Sequence, residues 1–424
     1  MYQVESSGAL FRAHKRLFAR RRRGPGVSRV VVLLGLTSLF TDISSEMVAA
    51  VLPLYLVYTL GFTPFQFGII DGVYQGATAL VRIGGGFAAD RWQRHKEVAA
   101  FGYGLSAACK VALLAVGSAW AALTAVVFLD RTGKGIRTAP RDALISLNAA
   151  QPQLATAFGV HRALDTLGAM LGPIAAFALL SLVPLGFDTI FVTSFCFALV
   201  GLGILVLFVD GRSRVEDAEA APLEPVRLRA AFALLRGGRF RTLVLVAGGL
   251  SLMTMSDGFL YLGLQRRMDF DFGFFPLLYV GTAAVYMLLA APMGRLADRV
   301  GRGVVFVGGY VLLLLVYTSL LVPTKGIAVL LLYLVLFGAY YAATDGVLMA
   351  LASAVLPSQL RASGLALLVT TTSIGRLLAS VVFGALWTWF GLDAAVVAFA
   401  AGLALAMSVT ALALMRASAR AAHA

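Results

Sequence analysis

Sixteen ionisable side chains interrupt the apolar runs of this 424-residue chain. The acids are Asp42, Glu46, Asp71, Asp130, Asp142, Asp165, Asp257 and Asp345. The bases are Arg82, Lys110, Arg131, Lys134, Arg137, Arg141, Arg162 and Arg376. At bilayer depth each such group costs about 2.5–3.5 kcal/mol on insertion scales. Eight acids against eight bases therefore imply internal pairing around a polar cavity. Asp42 and Glu46 stand four residues apart and share one helical face. Asp130, Lys134, Arg137 and Arg141 also follow helical spacing, with Arg131, Thr138 and Asp142 alongside. Two carboxylates in a low-dielectric cavity cannot both ionise cheaply, while a permanently charged arginine favours the ionised form. That competition makes a proton site, with Asp42 or Glu46 as carrier and Arg131 as the tuning base. The plainer alternative is an ion-pair network that only holds these helices together.

The elements that must position these groups follow from composition. Hydrophobic residues make up 60% of the chain and charged residues 13%, with a mean hydropathy of +0.87. A soluble domain carries about 45–50% apolar and about 25% charged residues, so the soluble globular classes are excluded. Twelve stretches are long and apolar enough to span a bilayer. They cover 30–59, 65–89, 98–118, 120–146, 153–182, 188–209, 241–264, 273–297, 303–322, 327–355, 360–390 and 393–416. The pattern predicts an all-α integral membrane protein, with twelve transmembrane helices in two pseudo-symmetric six-helix bundles. Residues 1–29 form a basic N-terminal tail, 30–209 the first bundle, 210–240 a polar linker, 241–416 the second bundle and 417–424 a short tail. Within the linker, Leu228, Phe232 and Leu235 share a face beside Arg227, Arg229, Arg236 and Arg239. This predicts an amphipathic helix on the membrane surface. The start of the chain is too basic to read as a cleavable signal peptide.

Charge sets the expected orientation. Of 35 lysines and arginines, 24 fall in segments on the side of the chain termini, three on the opposite side and eight within spans. The positive-inside rule then places both termini in the cytoplasm, in a bacterial inner membrane. The net charge of +14 is read as this collar and not as a nucleic-acid surface. Cys109 and Cys196 lie in apolar runs without metal or disulfide spacing, and His14, His95, His161 and His423 are scattered. No metal, cofactor or phosphate-binding loop is expected; Gly133, Lys134 and Gly135 lack the pattern of such a loop.

A short motif occurs twice. Gly86, Asp90 and Arg91 follow the second span, and Gly294, Asp298 and Arg299 follow the eighth, with the same G-x-x-x-D-R spacing. On a six-plus-six pattern of spans this resembles the major facilitator superfamily, although Gln93 stands where a second glycine is common. Arg131, Lys134 and Gly135 resemble the R-x-x-Q-G motif of the twelve-span drug/proton antiporters, with Lys134 for Gln. Gly159, Gly168, Gly172 and Pro173 resemble the antiporter motif of the fifth span, without its trailing glycine pair. Glycines at this spacing allow close helix approach, and Pro173 removes a backbone donor.

The resemblance implies alternating access about a midplane site, with the first and fourth spans lining the cavity. It implies that Asp90, and to a lesser degree Asp298, latch the two halves, with Gly86, Arg91, Gly294, Arg299, Arg137 and Arg141 in the same gate. Substrate-cavity candidates are Lys134, Asp142, Arg162, Asp165, Asp257, Tyr261, Tyr341, Asp345 and Arg376. Thirteen of the sixteen intramembrane charges lie in the first half, so the second half is expected to supply mainly walls. The leading expectation is proton-coupled efflux of a small organic molecule, by antiport and without enzymatic activity. Proton-coupled import of an organic anion or zwitterion is the alternative, and a non-transporting receptor or scaffold a remote one. The expected partners are the solute, a proton and the lipid bilayer, with the chain acting as a monomer.

Overall fold

The computed structural model describes residues 28–92, 94–149, 153–210, 234–236, 238–322, 326–357 and 360–422. Side chains at 80, 82–92, 155, 362 and 412–422 fall outside that description. The described residues are helical throughout, without strands. In the first half α1 is Arg29–Leu54, α2 Pro64–Trp92, α3 His95–Ala115, α4 Trp120–Leu147, α5 Leu154–Leu182 and α6 Phe187–Gly203. In the second, α7 is Gly238–Leu252, α8 Asp257–Met268, α9 Phe275–Val300, α10 Arg302–Leu321, α11 Ile327–Val355, α12 Arg361–Phe390 and α13 Leu392–Ala422. Helices α7 and α8 are two pieces of the seventh span. Much of the expected linker and its amphipathic helix lie outside the described residues.

Ten helical segments are long and apolar enough to cross a membrane. Helix α4 falls short of that composition because it carries charges along its length, including Asp130, Arg131 and Lys134. It spans by burying those charges between neighbours, packing on α2 and α3, while α2 also packs on α12. Leucines such as Leu182, Leu207 and Leu288 are largely exposed on the outer surface, which suits a lipid-facing wall. Turns between helices are short. A single residue, Gly391 at φ 87°, joins α12 to α13; a side chain would strain that backbone.

The seventh span breaks over residues 253–256, which its hydropathy does not announce. Backbone freed from helical bonds inside a bilayer needs internal partners. The Tyr317 hydroxyl supplies two: it accepts from the Met255 N–H at 2.8 Å and donates to the Met253 carbonyl at 3.0 Å. Ser256 then caps α8 by accepting from the Phe259 N–H at 3.4 Å.

The halves meet through α2 against α12 and α5 against α9. Among the described residues, their polar and aromatic contacts gather at the end holding the α1–α2, α5–α6, α8–α9 and α12–α13 turns. There the Phe65 N–H donates to Thr388 Oγ1 at 2.8 Å, and Ser380 Oγ donates to Asp71 at 2.6 Å. Phe67 meets Phe259 edge-on at 4.7 Å, and Tyr58 and Phe272 lie 4.8 Å apart. Gly68, Gly72 and Gly76 form the stripe of α2 that faces α12. A side-chain carbon at Gly72 would sit 2.8 Å from the Leu377 carbonyl, too close for any residue but glycine. Enlarging this stripe should therefore pry the halves apart at that end. Gly72→Leu is expected to cost about 1–3 kcal/mol through overpacking and to lower the melting temperature. A cysteine placed at Ser380, with Cys109 and Cys196 removed, should then react faster with a membrane-impermeant maleimide.

Candidate functional site

Helix α4 carries the densest charge, and its pairing starts with a buried triad. Asp130 accepts from Lys110 on α3 at 3.0 Å and from Arg131 at 2.5 and 3.0 Å. All three residues are buried. The Arg131 guanidinium lies 4.0 Å from the centre of the Tyr74 ring on α2, a cation–π contact. Two lysine or arginine charges on one carboxylate leave an excess, which the more distant Glu46 offsets. The expected pairing of Arg131 with Asp42 and Glu46 is thus corrected: its adjacent neighbour Asp130 captures Arg131 first.

Asp42 and Glu46 meet other residues of α4. Glu46 lies 3.7 Å from Lys134, and Asp42 lies 3.9 Å from Arg137. One turn further, Ser38 Oγ accepts from Arg141 at 3.1 Å and bonds His161 at 3.0 Å. Helices α1 and α4 are therefore joined by three rungs, at 46 and 134, 42 and 137, and 38 and 141, with the helices running antiparallel. The rungs differ in tightness. Arg141 is held by Asp142 at 3.0 Å and Asp165 at 3.7 Å. Arg137 is buried and stacks over Tyr103 at 4.5 Å, yet its Nη1 has no hydrogen-bond partner among the described residues. Asp165, on α5, also meets Arg162 at 3.1 Å. Asp42 on α1 and Asp165 on α5 thus border neighbouring arginines of α4, Asp42 at Arg137 and Asp165 at Arg141.

Two neighbouring cavities lie between the halves. One, of about 390 Å³, is lined by Gln75 on α2 and by Tyr310, Tyr340, Thr344, Asp345 and Arg376 of the second half. The other, of about 250 Å³, lies between Glu46, Met170 and Pro173 of the first half and Asp257, Tyr261 and Tyr341 of the second. Tyr286 and Asp345 line both. The Tyr341 hydroxyl donates to Asp257, and that of Tyr261 donates to Thr282 at 2.7 Å. The expectation that the second half supplies mainly walls is corrected here. It contributes Asp257, Asp345, Arg376 and most of the tyrosines, because the break at 253–256 and the register of α11 and α12 turn them inward. Gln75, Tyr286 and Tyr310 were not legible as cavity residues, since tyrosine in an apolar run reads equally well as packing. Of the other substrate candidates, Lys134, Asp142, Arg162 and Asp165 belong to the α1–α4–α5 charge cluster.

The motif residues have varied surroundings. A side-chain carbon at Gly172 would sit 2.8 Å from the Ile43 carbonyl, and Gly168 is pressed against Leu39. Together with Pro173 they let α5 pack along α1. Gly159, expected to share that packing, faces open space, as does Gly294. Asp298 is exposed and pairs with Arg302 at 3.0 Å, while Arg299 is exposed. The side chains of Asp90 and Arg91, and the surroundings of Gly86, lie outside the described residues.

The Major Facilitator Superfamily model matches residues 34–284 and 264–423, and the chain belongs to that superfamily of membrane transporters. It is 29% identical over 369 residues to an uncharacterized MFS-type transporter of Methanocaldococcus jannaschii, covering 85% of this chain and 89% of that one. Among solved structures it is similar to a mutant of the nucleoside transporter NupG, with a TM-score of 0.77 at 16% identity over 91% of this chain and 100% of that one. It is also similar to a POT family transporter in complex with 5-aminolevulinic acid, with a TM-score of 0.73 at 15% identity, covering 92% and 96%. At such identity the likeness concerns the fold.

The triad on α4 makes a stability prediction. Asp130→Asn would leave Lys110 and Arg131 buried without their shared carboxylate. Breaking a buried pair this way costs about 3–5 kcal/mol, so the melting temperature and the yield of folded protein should fall steeply. Adding Lys110→Met should restore part of both, because one of the stranded charges is then gone.

Proposed function

We propose that this transporter works by alternating access and couples proton entry to export of a small organic solute. The observation that carries this reading is the loose Asp42–Arg137 rung, 3.9 Å apart, beside the Asp165–Arg141 pair at 3.7 Å. A proton on Asp42 or Asp165 removes the carboxylate charge that faces the adjoining arginine. When it leaves, the carboxylates draw Arg137 and Arg141 closer; when it returns, the rung at 42 and 137 weakens. Asp165 lies on α5, and the cavity wall at Met170 and Pro173 is on the same helix, one to two turns away. A proton on this cluster thus acts on the helix that bounds the solute cavity. The Glu46–Lys134 rung lies at the cavity edge itself, where it couples the same ladder to an arriving solute.

The basic residues favour a cytoplasmic position for both termini. On that orientation the packed end of the halves faces away from the cytoplasm. The glycine-lined contact of α5 with α1, which resembles the antiporter motif, supports export over import. Import by proton symport is the second reading, favoured by cavities that carry both signs of charge.

Proteoliposomes loaded with a pH dye, under an imposed proton gradient, provide the test. The solute is whichever member of a metabolite and drug panel the wild type moves. Asp42→Asn and Asp165→Asn should each abolish gradient-driven accumulation while leaving solute exchange at zero gradient largely intact. Undiminished gradient-driven transport in both variants would sink the proton-coupling reading. Lumenal alkalinisation or acidification on solute addition, read with protein of known orientation, separates antiport from symport.

A further inference from the structure

Arg376 stands apart from the other intramembrane cations among the described side chains. Among the described residues no carboxylate lies within 4.0 Å of it and no hydrogen bond engages it. Lys110, Arg131, Lys134, Arg137, Arg141 and Arg162 each have an ion pair. Arg376 instead faces the larger cavity, with Tyr340, Tyr341, Asp345 and Tyr310 as its electrostatic neighbours. Guanidinium is always charged, and a charge at this depth without a counter-charge in contact is costly. Asp345 is its nearest acidic counterpart but stays beyond ion-pair distance. Asp345 also borders the second cavity, where Asp257 and Glu46 are exposed to the same space. The two adjoining cavities, which share Tyr286 and Asp345, therefore present a cationic group at Arg376 and acidic groups at Asp345 and Asp257, held apart.

Ligand classes can be sorted by what each would leave unpaired. A simple anion would satisfy Arg376 but meet three carboxylates. A simple cation would satisfy the carboxylates but meet Arg376. A neutral solute would leave both ends without a partner. A solute bearing both charges satisfies both ends at once. Its anionic group would accept the forked donors of Arg376, a geometry suited to carboxylate or phosphate. Its cationic group would lie between Asp345 and Asp257, near the rings of Tyr261, Tyr286 and Tyr341. The cavities, about 390 and about 250 Å³, suit a small molecule.

We propose that the transported solute is a small zwitterion, with its anionic group on Arg376 and its cationic group on Asp345 and Asp257. This rests on the transport reading above, but not on proton coupling, and it holds for export or import alike. The test is equilibrium binding without a gradient, so a failure of coupling cannot be confused with a failure of this assignment. Purified protein in nanodiscs would be screened by thermal shift and by calorimetry. The probes are the common α-amino acids, β-alanine, γ-aminobutyrate and glycine betaine, with each amino acid also supplied as its N-acetyl acid and as its amide.

At least one zwitterion is expected to bind, with its N-acetyl and amide forms at least about tenfold weaker. Arg376→Gln should weaken the zwitterion and the N-acetyl acid together, and Arg376→Lys should recover part of the loss. Asp345→Asn should weaken the zwitterion but not the N-acetyl acid, a pattern that general unfolding would not produce. Each variant's ligand-free melting temperature serves as the folding control. A tightest ligand with one charge or none, binding unchanged by Arg376→Gln, or a panel that leaves the wild type unmoved would overturn the proposal.

Discussion

A charge buried in a bilayer without a counter-charge is worth several kcal/mol of instability, and the helix arrangement of the first half is organised by that cost. Helix α4 cannot span as an apolar rod, because Asp130, Arg131, Lys134, Arg137 and Arg141 lie along it. It is instead wrapped by α1, α2, α3 and α5, each of which brings a neutralising or stacking group. Lys110 comes from α3, Tyr74 from α2, Asp42 and Glu46 from α1, and Asp165 from α5. Gly102 and Gly133 allow α3 and α4 to touch backbone to backbone, which is what brings Lys110 to Asp130. Packing and electrostatics are one problem here: small residues set the distance, and the distance sets which charges pair.

The two halves are joined by a different chemistry. Among the described residues their contacts use glycine, serine, threonine and aromatic rings in place of ion pairs, as at Ser380 with Asp71 and Phe67 with Phe259. Such contacts are individually modest, and serine and threonine partners exchange readily with water. Alternating access requires an interface that forms and parts repeatedly, and this chemistry suits one. The charges that are tightly paired lie within a half, where they need not separate. The break in the seventh span sits between these regimes. It places Ser256 and Asp257 beside the packed end on one side and the solute cavity on the other.

Much was legible from residues in order. The twelve spans follow from hydropathy, and the i, i+4 spacing of Asp42 and Glu46 correctly put both on one face toward α4. The Gly168–Gly172–Pro173 stretch read as a close-packing face and meets α1 as one. The partners were another matter. Arg131 was expected opposite Asp42 and Glu46, yet the register of α1 against α4 matches those acids to Arg137 and Lys134. A shift of one helical turn changes every such pair, and turn-level register is a property of two helices in contact. The second half was underestimated for a related reason. Three charges scattered over the seventh, tenth and eleventh spans look sparse in sequence but converge on one space.

What the sequence by itself determined is the membrane-spanning helical class, the two-part organisation and the inventory of costly groups that must be neutralised. Hydrophobic transfer and charge burial act on residue type and local spacing, so a single chain read end to end is enough for them. What only the tertiary structure decided is who neutralises whom. It decided that Asp130 takes Lys110 and Arg131, that Asp42 faces Arg137 while Asp165 faces Arg141, and that among the described residues Arg376 has no carboxylate in contact. Those outcomes depend on helix rotation and approach to within a few ångströms, quantities set by all the packed side chains together.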